Sequence, residues 1–102
     1  MMTTQQQAGW RALIAQFSEV LLIAAGERSQ RHEVVDGPDG PELAWMVYER
    51  SQMLDAVNAE RATRSLPPVP VEDVIWAEQQ ACGHSDYVKK FAIGCADLVV
   101  GG

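Results

Sequence analysis

Three short breaks divide this chain of 102 residues into four stretches with the apolar spacing of amphipathic helices. The breaks are Asp36-Gly37-Pro38-Asp39-Gly40, the proline-rich segment 65–70 and Gly83-His84-Ser85. Glycine and proline interrupt helices because glycine tolerates positive φ and proline lacks an amide hydrogen. The pattern predicts an all-α fold, a small bundle of four helices at about residues 4–29, 41–63, 70–82 and 86–99, in a single domain over 1–102.

The first predicted helix is apolar on more than one side. Thr4 and Gln7 have the spacing of a capping box, which predicts where it starts. One stripe at three- and four-residue steps consists of Trp10, Leu13, Ile14, Phe17, Leu21 and Ala24. At about 100° per residue, Leu22 and Ile23 fall on the side opposite Phe17. The helix is therefore either covered on both sides or meets another chain.

The segment from residue 32 to residue 48 fits two structures. Pro41 suits the first position of a helix, which favours a helix from 41 to 63. The turn residues 36–40 could instead close a short β-hairpin within 32–48. In the helical interpretation, Trp45 and Tyr48 lie beside the buried stripe, and neighbouring aromatic residues often anchor interfaces. We therefore take Leu22, Ile23, Trp45 and Tyr48 as candidate interface residues.

Charge and composition exclude several classes of protein. The net charge of −6 argues against a general nucleic-acid surface, since such surfaces cluster Lys and Arg. Two cysteines are too few for a disulfide scaffold. The N-terminal segment lacks the pattern of a signal peptide, and the apolar run 20–25 is too short to cross a bilayer. We expect a cytoplasmic protein without a membrane segment.

Cysteine and histidine are spaced poorly for a metal site or a catalytic thiol. Cys82 and His84 have one residue between them, whereas zinc sites use short paired motifs. Cys95 lies nine residues into the fourth helix, about 13 Å along its axis. Cys82 lies at the C-terminal end of a helix, where the dipole disfavours a thiolate. We expect no cofactor, no small-molecule substrate and no enzymatic activity, with a small metal-binding or thiol protein as the weaker alternative.

Residues 71–99 also suggest a helix-turn-helix. Two helices flank a short turn containing glycine, and the second begins with polar residues that suit a DNA groove. The candidate nucleic-acid contacts are Ser85, Tyr87, Lys89 and Lys90. Two lysines in an acidic chain supply little phosphate affinity, so a solvated face is the favoured interpretation.

These features favour a non-enzymatic protein–protein interaction module. Its partner would be another protein, and a homodimer is the simplest case because most oligomers are symmetric assemblies of one chain. Size and charge suit a small regulator or inhibitor, including one encoded by a phage or mobile element. A helix-turn-helix DNA-binding protein using 71–99 is the alternative, followed by the metal or thiol protein.

Overall fold

The computed structural model describes residues 3–26, 33–37 and 40–100. This part of the chain forms four helices and one two-stranded hairpin, which confirms the prediction of a small, mostly α-helical bundle. The elements are α1 (Thr4–Gly26), β1 (Val34–Gly37), β2 (Gly40–Leu43), α2 (Ala44–Thr63), α3 (Val71–Ala81) and α4 (Tyr87–Val100). The last two helices agree with the predicted bounds to within one residue. The predicted last turn of the first helix, 27–29, lies outside the described residues.

Helix α1 begins at Thr4 as predicted, but its capping box lies one residue earlier than predicted. The Thr3 hydroxyl accepts a hydrogen bond from the Gln6 amide at 3.1 Å, and the Gln6 side chain accepts one from the Thr3 amide at 2.8 Å. Threonine and glutamine recur one residue later at Thr4 and Gln7, so the sequence offers both registers. The predicted pairing of Thr4 with Gln7 was wrong by one position.

The hairpin predicted within residues 32–48 is confirmed over 34–37 and 40–43, whereas residues 44–48 belong to α2 and residues 32, 38 and 39 lie outside the described residues. The start of the second helix at residue 41 was wrong. Val34 pairs with Leu43 and Asp36 with Pro41 in an antiparallel register. Gly40 has a φ of 111°, which side chains rarely permit, so this glycine suits the strand reversal. Pro41 has the same preferred φ at a helix start and in an extended strand, so proline alone did not separate the two cases. Helix α2 follows β2 directly at Ala44.

The four helices run alternately up and down. Helix α1 lies antiparallel to α4, because Gln5 and Gly9 border the end of α4 while Ile14 lies beside Lys89. Helix α3 packs on α2 and α4, and α1 packs on α2 and α4. The core between them is formed by Leu13, Phe17, Leu21, Met53, Val57, Val74, Ala77, Ala81, Phe91, Ala92, Cys95, Ala96 and Val99.

Side chains of α2 hold the proline-rich connector between α2 and α3. Asn58 donates to the Val69 carbonyl at 3.2 Å and accepts from the Val69 amide at 2.8 Å. Arg61 donates to the Pro67 carbonyl at 2.7 Å and to the Leu98 carbonyl of α4 at 2.6 Å. The buried Arg61 therefore joins the connector to two helices, as expected for a rigid connection within one compact unit.

Candidate interaction surfaces

The outer side of α1 is largely exposed. Only four of its 23 residues are buried, and these are Leu13, Phe17, Leu21 and Ala24. Leu22 and Ile23, two of the candidate interface residues, are 62% and 59% exposed. Isolated apolar residues are common on protein surfaces, but two adjacent large ones on an apolar helix form a patch suited to contact.

Helix α1 also carries little charge along its length. Arg11 and Glu19 are its only charged residues. By length and composition α1 could cross a membrane, a property it shares with core helices of soluble proteins and with signal sequences. A core helix is mostly buried, whereas 22% of the apolar 18-residue window of α1 is buried in this fold. The apolar surface of α1 therefore exceeds what the described core covers.

Trp45 and Tyr48 differ from Leu22 and Ile23 in their surroundings. Both aromatic residues lie in the first turns of α2, are half-buried, and take part in interactions within the chain. Large side chains at the junction of the hairpin and α2 pack there instead of standing on an open surface. Of the four candidate interface residues, the two on α1 are the more accessible.

The four candidate nucleic-acid residues do not share one surface. Ser85, Lys89 and Lys90 are exposed, but Tyr87 is half-buried. Its hydroxyl donates to the Glu49 carboxylate at 2.8 Å, and its ring meets that of Phe91 edge to face at 5.7 Å. Burial, together with the neighbouring Glu49 carboxylate, raises the pKa of Tyr87 above its usual range. Tyr87 thus joins α4 to α2.

Helices α3 and α4 form a close antiparallel hairpin. A Cβ added at Gly94 would lie 2.9 Å from the Cβ of Ala77, so the two helices approach closely at this point. Asp73 and Asp97 line one depression at one end of the pair, and Gln80 and Lys90 line another towards the turn.

A buried ionic cluster joins the hairpin, α2 and α3. The Arg50 guanidinium donates to Glu42 at 2.6 Å and to Glu78 at 2.9 Å, and Arg50 and Glu78 are both buried. Hydrogen bonding from Arg50 lowers the pKa of Glu42, whereas burial raises the pKa of Glu78 against the effect of Arg50. Both carboxylates are engaged by one guanidinium, which is a structural role for the cluster.

Sequence reasoning missed this cluster. Arg50 and Glu78 lie on the inner sides of their helices, but charged residues on a helix are usually assigned to the solvent face. Their identity as opposite charges is visible in the sequence, whereas their proximity depends on how α2 and α3 pack.

The two cysteines are in different environments. Cys82 is exposed just after α3, and Cys95 is buried in the core. Burial raises the pKa of Cys95 to about 12, so its thiol stays protonated. His84, the other candidate ligand, is exposed beside Gly83, whose φ of 83° ends the helix as predicted. Within the described residues, no group of three His, Cys, Asp or Glu side chains is placed to hold a metal ion.

Trp76 is a second exposed apolar feature. It is 61% exposed on α3 and borders two shallow depressions that also involve Gly94 and Asp97 of α4. Its side chain lies over the point where α3 and α4 approach, so Trp76 extends the accessible apolar surface.

Comparison of the chain with known protein families, curated proteins and solved structures found no match.

Proposed function

We propose that this chain is a non-enzymatic protein-binding module that uses the outer side of α1 as its contact surface. The observation that carries the proposal is the exposure of Leu22 and Ile23 on a helix whose outer side bears only one charge of each sign. A second protein covering this side would remove apolar area from water, at about 25 cal/mol per Å².

The contacts of the polar side chains favour binding over catalysis. The buried Arg50 and Glu78 bond to each other between α2 and α3, and the half-buried Tyr87 bonds from α4 to Glu49 of α2. The buried Cys95 keeps its proton. A catalytic group must instead reach a substrate. We propose that the chain acts as a small regulator or inhibitor by occupying a surface of its partner.

Photo-crosslinking tests the proposal. A benzophenone amino acid placed at Ile23 should form a covalent adduct with another protein chain in the cell that produces this protein. The same residue placed at Gln79, which is exposed on α3, is the matched control and should form none. Equal labelling from both positions, or no protein adduct from Ile23, would contradict the assignment of the contact surface to α1.

A further inference from the structure

The outer side of α1 carries one charge of each sign, Arg11 and Glu19, in order along the helix and each four residues from Ala15. Successive residues of an α-helix are rotated by about 100° around its axis. The residues that point within about 40° of the direction of Ala15 therefore recur every three or four positions. They are Thr4, Ala8, Arg11, Ala15, Glu19, Leu22 and Gly26. The buried residues Phe17 and Ala24 lie about 160–180° away from Ala15, so this side faces directly away from the core.

From this order we infer that α1 binds the α1 of a second copy in an antiparallel pair centred on Ala15. In such a pair, residues whose numbers sum to 30 lie at the same height on the two helices. Arg11 then lies opposite Glu19 of the second copy, and symmetry repeats the ion pair on the other side of the centre. Ala8 lies opposite Leu22, which places a small side chain against a large one.

Charge selects the antiparallel orientation. A parallel pair in the same register would set Arg11 against Arg11 and Glu19 against Glu19, and both contacts would repel. Arg11 and Glu19 are eight residues apart, about 12 Å along the helix, so they are poorly placed to pair within one chain. Both are exposed, and among the described residues neither forms a hydrogen bond or an ion pair. The second copy supplies the partner that each of them lacks.

The size of the contact predicts a reversible dimer. Seven residues of each copy lie on the seam, whereas a standard stable interface uses about 20–30 residues a side. The small side chains of Ala8, Ala15 and Gly26 let the helices approach closely. Leu22 adds apolar contact on the seam and Ile23 adds it beside the seam. We expect a dissociation constant in the micromolar range. This inference rests on the proposed function, since it names the partner of the same surface.

Charge exchange tests the dimer by sedimentation equilibrium at several protein concentrations. Arg11→Glu and Glu19→Arg should each weaken dimerization about tenfold or more, because each turns both ion pairs into like-charge contacts. A mixture of the two single variants should form a heterodimer, since one chain then carries two acidic and the other two basic residues on the seam. The double variant Arg11→Glu/Glu19→Arg should dimerize within about threefold of the native chain.

Two further substitutions control for net charge. Lys90→Glu on α4 and Glu72→Arg on α3 change the charge by the same amounts at exposed positions away from the seam, so they should leave the dimer intact. Circular dichroism confirms that each variant keeps its helices. A native chain that is monomeric at about 0.5 mM, or a dimer that ignores the charge exchanges, would overturn the inference.

The crosslinking experiment separates the two proposals. An adduct between two copies at Ile23 supports both of them. If Ile23 forms an adduct only with a different protein and the native chain is monomeric, the dimer is overturned. The proposed function then remains in place. No protein adduct at Ile23 contradicts the proposed function itself.

Discussion

Replacing Gly94 with alanine should destabilise the protein, although alanine is the better helix former. In the interior of a helix, alanine is more favourable than glycine by about 1 kcal/mol. At Gly94, however, the new Cβ would lie 2.9 Å from the Cβ of Ala77 and 3.6 Å from its Cα. Neither atom belongs to a flexible side-chain end, so α3 and α4 must move apart. Overpacking of this kind costs about 1–3 kcal/mol, so we expect a net loss of up to about 2 kcal/mol.

Gly9 provides the matched control. It also lies within a helix, but an added Cβ there meets nothing within 4 Å, so Gly9→Ala should stabilise by about 1 kcal/mol. The difference between the two variants cancels helix propensity and isolates the contact with Ala77, at about 1–3 kcal/mol. Urea unfolding at one protein concentration measures both changes in the free energy of unfolding. Thermal unfolding is the second assay, in which a loss of 1 kcal/mol lowers Tm by about 4–8 °C for a domain of this size.

A double-mutant cycle identifies the contact responsible. In the exchanged variant Gly94→Ala/Ala77→Gly, the methyl group moves from one helix to the other and the clash is relieved. The coupling energy between the two sites should therefore be favourable by at least 0.5 kcal/mol or so. If Gly94→Ala stabilised as much as Gly9→Ala, the close approach of α3 and α4 would be refuted.

Three other predictions concern buried groups. Arg50→Met should lower the free energy of unfolding, measured in urea, by about 3–5 kcal/mol because it leaves Glu78 buried without its counter-charge. Adding Glu78→Leu should recover most of that loss. An equal loss in the double variant would contradict this prediction. Because the pKa of Glu42 is lower in the folded chain than in the unfolded chain, its ion pair stabilises the fold. This stability is fully present above the unfolded pKa of about 4.5 and is lost as the pH falls through the folded pKa. The native chain should therefore lose its stability advantage over Glu42→Gln as the pH falls through that range. A difference in the free energy of unfolding that stays constant down to about pH 2 would contradict this prediction. In thiol titration, Cys82 should react at once and Cys95 only on unfolding, whereas two fast thiols in the native chain would show that Cys95 is accessible.

Apolar periodicity and helix breakers were sufficient to predict the helices. Leu13, Phe17 and Leu21 were assigned to the inner stripe of the first helix and are buried. Gly83 was assigned to the end of α3 and has the positive φ that this role requires. These features depend on a few neighbouring residues, and local sequence determines them through backbone preferences and the helical repeat.

Residues 32–48 show where local signals are insufficient. The turn residues predicted a hairpin and Pro41 predicted a helix start, and both signals are valid for isolated segments. The structure contains the hairpin, with α2 starting at Ala44. The hairpin also positions Glu42 to bond with Arg50, an interaction that helps to hold β2 against α2 and that no local rule includes.

The exposed residues of the candidate surface were only partly predictable. The angular positions of Leu22 and Ile23 on α1 follow from the helical repeat, so the sequence indicated that they lie opposite Phe17. It did not indicate whether another helix covers them. The same uncertainty applied to Trp76, which the packing leaves 61% exposed, and to Trp45, which it half-buries.

The sequence by itself therefore determined the number of helices, their inner stripes and the order of charges along α1. Each of these is a property of one segment and its period of about 3.6 residues. Only the tertiary structure decided that Arg50 and Glu78 meet inside the bundle, that Tyr87 bonds to Glu49, and that the outer side of α1 stays uncovered. Those outcomes depend on which helix faces pack together, and that choice is made by the whole chain because burying one face leaves another in solvent.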